Sequence, residues 1–193
     1  MEDQDAVIAM TCGTRNMQGV MNLVWDKLLP AMQPKRLKAD KAAHKKLEAK
    51  LASLTVRPPQ SSGSPRAFAQ SSGQRFTFAT NDLDLEVVAL ELGGNGEVSL
   101  AMRCNGVEQR VVCGGKSEWK KGRMTYAAQA EQPVAISGAW TADGTCSAKF
   151  CFYKTPFVIT AKLQLSGEHL LYDSETNVGL GQTKQPQLVG RAQ

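Results

Sequence analysis

The sequence predicts a mainly β protein: an N-terminal strand and helix, a second helix, then an antiparallel meander of eight or nine strands closing as a barrel. Three observations predict it. From residue 67 onward apolar residues recur at every second position, the period of a half-buried strand. Short turn signals ("GGNG", "NG", "DG", "TP" and "SGE") separate these runs at close intervals. Residues 17 to 54 follow three- and four-residue spacings instead, the period of a helix.

Each element has its own justification. "AVIAM" within 5–12 is apolar on both faces, as in a strand covered on both sides. Asn16 suits an N-cap for a helix from Met17 to about Met32, with Met17, Val20, Met21, Val24, Leu28 and Met32 as its stripe. Pro30 and Pro34 end it. A basic helix follows over about 39–53, with Leu47, Leu51 and Leu54 as its apolar line. "RPPQSSGSPR" (57–66) reads as a linker. Strands are expected at 75–79, 85–92, 97–103, 107–113, 124–128, 134–141, 145–154, 157–166 and 169–173. The expected organisation is a terminal strand and helix (1–33), a basic helix and linker (34–66), a β-barrel (67–180) and a tail (181–193). A barrel removes the sheet's edges; a two-sheet sandwich is the structural alternative.

Composition narrows the function classes. An apolar share of 42% and a charged share of 21% belong to an ordinary globular chain. No stretch approaches the roughly 18 consecutive apolar residues of a membrane helix, so no membrane span is expected. "MEDQDAV" is acidic where an export signal is basic and then apolar, and the compartment stays open. The net charge of +5 equals that of residues 34–50, where seven Lys and Arg face two acids. Such a run attracts nucleic acid or anionic lipid, but its usual meaning is a solvated helix face. No aromatic residue interleaves with the lysines, so no nucleic-acid partner is expected.

The chemistry-bearing residues are sparse. Five cysteines without C-x-x-C spacing argue against a zinc site or a disulfide framework. A turn at Asn105–Gly106 pairs Cys104 with Val107 and sets Cys113 opposite Val98, about 20 Å along the ladder at ~3.4 Å per residue. A bridge needs Cα atoms within about 7 Å. His44 and His169 have no triad pattern around them. "SEWK" (Ser117 to Lys120) matches S-x-x-K, but sits in a glycine-flanked connection between strands. Its companion K-T-G is missing, since "KTP" (154–156) carries proline. Asp82, Asp84 and Glu86 alternate like the start of a calcium loop but lack its glycine and distal glutamate, and read as a strand-entry turn. No catalytic residue, metal or cofactor is expected.

Two segments carry a resemblance. "DAVIAMTCGT" followed by "NMQGVMNLVWDKLLPAM" resembles the last sheet strand and C-terminal helix of β-lactamase-related serine hydrolases, the group of class C β-lactamases, D-aminopeptidases and penicillin-binding esterases. "FTFATNDLDLEVVALEL", "SGAWTADGTCSAKFCFYKTPF" and "LLYDSETNVGLG" resemble the lipocalin-like β domain appended to some bacterial members. The resemblance implies that the family's serine–lysine pair, tyrosine motif and K/H-T/S-G strand precede this region, so none transfers to a residue here.

The expected function is therefore a non-catalytic accessory domain of such a hydrolase, buttressing the catalytic domain or shaping access to its active site. That catalytic domain is the expected partner, preceding this region or on another chain. The strand over 5–12 is expected to borrow an edge from the barrel or from a second copy of the chain. The alternative is a stand-alone lipocalin-like barrel holding a small apolar ligand. Phe76, Phe78, Leu100, Met102, Trp140, Phe150 and Phe152 would then line the cavity, or else fill the interior.

Overall fold

The computed structural model describes residues 5–35, 37–64, 70–93, 98–113, 118–127 and 130–193, with Val98 and residues 111–113 described by backbone alone. The chain divides into two compact units, Met1–Arg57 and Pro58–Gln193.

In the first unit, Asn16 opens helix α1 (Met17–Leu23), its Oδ1 accepting a hydrogen bond from the Gly19 N–H at 2.8 Å. The helix then widens into a π turn (Val24–Leu28) and tightens into a 3₁₀ turn (Leu29–Ala31). Pro30 is the cause: it has no N–H to give Asp26, and the Leu29 N–H reaches back five residues to the Val24 carbonyl. Helix α2 (Lys41–Ala52) starts at Asp40, whose carboxylate accepts from the Ala43 N–H at 2.9 Å.

The strand expected over 5–12 does not form. Residues 6–14 have no ladder partner among the described residues, and Val7 is 96% exposed. Ala6, Val7, Ile8 and Met10 instead border a surface hollow of about 260 Å³ with Met21, Val24 and Trp25. A strand apolar on both faces needs strands on both edges, and every described strand belongs to the second unit. The borrowed edge is not found, within this single chain.

The second unit is one ten-stranded antiparallel sheet curled into a nearly closed barrel. Its strands are β1 (Arg75–Phe78), β2 (Leu85–Leu92), β3 (Val98–Cys104), β4 (Val107–Cys113), β5 (Lys120–Met124), β6 (Gln132–Trp140), β7 (Cys146–Cys151), β8 (Val158–Ser166), β9 (His169–Thr176) and β10 (Leu188–Ala192). Their spatial order is β4-β3-β2-β1-β10-β9-β8-β7-β6-β5. The ladder thus runs unbroken from β4 to β5, and those two outermost strands meet at a seam.

Three features differ from expectation. The tail contains β10, which pairs with β1 and β9; it is short and carries Gly190, so its alternation is faint. Gly190 is required there, because a Cβ would come within 2.7 Å of the Phe78 ring. The fifth strand lies at 120–124 rather than 124–128, and its "KKGRM" has no apolar period to announce it. The linker is partly anchored: the Ser62 and Gly63 N–H groups donate to the Trp140 carbonyl at 2.8 and 2.9 Å.

The turns follow the sequence closely. Asn105 and Gly106 both take positive φ (49° and 72°), the geometry of a two-residue hairpin turn. The register pairs Cys104 with Val107 and Cys113 with Val98. Cys12, Cys104, Cys146 and Cys151 are free thiols.

Candidate functional site

The inward side chains of the barrel form one apolar cluster. Phe76, Leu100, Met102, Trp140, Phe150 and Phe152 are all buried in it, and Phe78 packs against its edge. The structure thus brings all seven candidate cavity residues together. Of the cavities described, one includes any of them: Phe78 borders a shallow groove of about 260 Å³ along residues 79–86 and Asn105. Fully burying a Phe or Leu side chain gains about 1.5–3 kcal/mol, so this cluster is the main source of the barrel's stability.

At one end of the barrel the cluster becomes polar. Cys104 closes β3, Gln109 is the third residue of β4, Tyr126 follows β5, Phe152 follows β7, and Tyr172 and Ser174 lie in the middle of β9. The Tyr126 hydroxyl donates to Ser174 Oγ at 3.3 Å. Tyr126 and Phe152 rings lie 6.4 Å apart and tilted, and the Phe78 and Tyr172 rings meet edge to face at 6.4 Å. The Tyr172 hydroxyl is buried beside the Tyr126 hydroxyl and makes no hydrogen bond of ordinary geometry among the described residues. An orphaned buried hydroxyl costs about 1–3 kcal/mol.

The electrostatics of this cluster are those of neutral groups. Burial pushes the Cys104 thiol up to about 11 and raises the phenols of Tyr126 and Tyr172. A thiol held protonated at neutral pH is a poor nucleophile. The cluster donates and accepts hydrogen bonds; it holds neither a carboxylate nor an imidazole.

Gln109 also crosses the seam. Its Nε2 donates to the Thr125 carbonyl at 2.6 Å, and its Oε1 accepts from the Thr125 N–H at 2.8 Å. One side chain thereby replaces a ladder step that β4 and β5 do not make. Beside the groove at Phe78, Asn81 organises the entry to β2. Its Nδ2 donates to the carbonyls of Ala79 and Leu85, both at 2.8 Å. Its Oδ1 accepts from the Leu83 and Leu85 N–H groups at 3.1 and 3.2 Å. Of the alternating acids, Asp82 and Asp84 sit in this turn, with Asp84 at positive φ (49°), and Glu86 is the second residue of β2. Glu86 receives the Gly106 N–H at 2.6 Å and Arg103 Nε at 2.5 Å.

The remaining motifs disperse. Ser117 lies outside the described residues, while Lys120 opens strand β5 opposite Ile136 rather than standing on a helix. His44 sits on α2, 3.5 Å from Glu48, and His169 opens β9 opposite Ser166 and Arg191. Among the described residues no group of three His, Cys, Asp or Glu side chains is placed to hold a metal. No described helix is long and apolar enough to cross a membrane. Sequence reasoning passed over Tyr126, Tyr172, Ser174 and Gln109. The signal existed for two of them, since "HLLYDSET" alternates Leu170, Tyr172 and Ser174 onto the inward face.

Fold and site together define a nearly closed antiparallel barrel with an apolar interior and a neutral polar end. Comparison with family models, curated proteins and solved structures returns no match.

Proposed function

We propose that the chain works as a non-catalytic accessory module of a β-lactamase-related serine hydrolase, buttressing the hydrolase domain or shaping access to its active site. The observation that carries this reading is the state of residues 5–32. They follow the strand-and-helix pattern of that family's closing elements, yet bury only Val24 and leave Val7, Met17, Leu23 and Trp25 in solvent. Such a segment is suited to being covered by a domain that supplies strand edges. The neutral, protonated groups at the barrel's polar end favour a scaffolding role over acyl transfer.

The test uses the full chain with nitrocefin and p-nitrophenyl acetate, alone and with the serine hydrolase domain encoded upstream or beside it. The expected result is no turnover by the chain alone and a stable complex weakened by Leu23→Ser with Trp25→Ser. Turnover by the chain alone, or a hydrolase domain that ignores it, overturns the reading.

A second reading, a stand-alone small-ligand barrel, draws support from one observation: the buried Tyr172 hydroxyl, which makes no hydrogen bond of ordinary geometry inside the polar end. Native mass spectrometry of purified protein would reveal a small molecule retained there and reduced by Tyr172→Phe. Unliganded protein throughout argues for a filled interior.

A further inference from the structure

We infer that helix α2 is a binding surface for anionic lipid bilayers, its leucine line entering the headgroup region while its lysines meet the lipid charge. The inference is independent of the hydrolase reading, because it rests on residues 39–54 alone.

A basic run on an amphipathic helix ordinarily means that the apolar line is buried and the lysines are solvated. Here the first half of that account fails. No residue of α2 is buried, and Leu47, Leu51 and Leu54 are 56%, 57% and 63% exposed. Leu47 and Leu51 stand one turn apart, and Leu54 continues the line in the closing turn, where its N–H donates to the Leu51 carbonyl at 3.2 Å. A 12-residue helix with no tertiary cover is marginal in water even with a good N-cap. A surface that buries the leucines would stabilise it.

The charge pattern selects the kind of surface. At 100° per residue, Lys46 and Lys50 border the leucine line on one side, with Lys41 and Lys45 on the opposite face. None of these four lysines has an ion-pair partner among the described residues. The two nearby acids are engaged: Asp40 caps the helix, and Glu48 lies 3.5 Å from His44. The face therefore has an apolar line at its centre, Lys46 and Lys50 along one side, and His44 with Glu48 along the other. Long lysine stems can lie along the apolar boundary while their ammonium groups reach the phosphates. Nucleic acid would use the lysines but leave three leucines in water, and the helix carries no aromatic side chain to stack on bases.

The test is co-sedimentation of the full-length protein with vesicles of phosphatidylcholine alone and of phosphatidylcholine with about one third phosphatidylglycerol, over a salt series. Binding is expected to the anionic vesicles only, weakening as salt rises. Replacing Lys41, Lys45, Lys46 and Lys50 together by Gln should lower the affinity about a hundredfold. Leu47→Ser with Leu51→Ser should lower it about tenfold with the charge unchanged. All six positions are exposed, and an unaltered thermal transition of the barrel would show that the variants still fold. Equal binding to neutral vesicles overturns the inference. So does an indifferent leucine variant, or binding to duplex DNA without binding to vesicles.

Discussion

The two units of this chain hold similar apolar residues and treat them in opposite ways. Among the described residues, eleven of the fifteen large apolar side chains that stand exposed lie in Met1–Arg57, where Val24 alone is buried. The other twenty-five buried apolar residues described lie in Pro58–Gln193. The difference lies in the period each unit uses. A period of two, repeated in ten neighbouring strands, turns every inward residue onto a shared interior. A period of 3.6 in two short helices makes two stripes, and each stripe needs something else to cover it. The barrel's elements are one another's partners, whereas the helical unit leaves its apolar stripes exposed.

That contrast can be broken or sharpened by experiment. The largest effect is expected at Phe150, fully buried in the cluster: Phe150→Ala should cost about 3–5 kcal/mol in urea unfolding followed by tryptophan fluorescence. A loss below 1 kcal/mol would mean that the interior is not close-packed. The side-chain staples come next. Asn81→Ala should lose about 2 kcal/mol and Gln109→Ala about 1–2 kcal/mol, each removing partly buried hydrogen bonds to backbone groups. For Gln109 the loss should appear in hydrogen exchange as faster opening of β4 and β5 with the other ladders unchanged. Trp25→Ser in the first unit should leave the barrel's transition within about 0.5 kcal/mol of the original. A larger shift would show that the helical unit stabilises the barrel after all.

The smallest effect is one of pH. The Gly106 N–H and the Arg103 guanidinium hold the Glu86 carboxyl below its ordinary range, and Thr141 with the Thr145 N–H does the same for Asp143. Both folded-state values are depressed, so their contribution is complete above the ordinary carboxylate range and fades as the pH falls through the folded values. Unfolding midpoints measured from pH 7 down to pH 3 should decline gently, and Glu86→Gln should flatten part of that decline.

The legible parts of the fold were those with a strong period or a decisive turn. The alternation in "EVSLAMR", the Asn105–Gly106 turn and the Asn16 cap are local facts, and local chemistry determines them. What stayed hidden depends on partners distant in the chain. Nothing within "LVGRA" says that it will lie beside β1, and "KKGRM" becomes a strand because β6 is there to pair with it. The strand expected at 5–12 failed for the converse reason, since a strong local pattern found no edge. In the candidate site, the apolar members were readable as inward positions, but Tyr126 and Gln109 gain their meaning from contacts across the barrel.

The position of the seam has a consequence for how the barrel can be rewired. Its first and last strands are neighbours, and the Gln193 N–H donates to the Arg75 carbonyl at 3.0 Å. Among the described residues, the one place where adjacent strands share no ladder is between β4 and β5, which follow each other in the chain. A circular permutant that begins at β5, runs through β10, crosses a short joint into β1 and ends at β4 would therefore keep all nine ladders. Such a molecule would carry its free ends at the seam, held across the gap by Gln109.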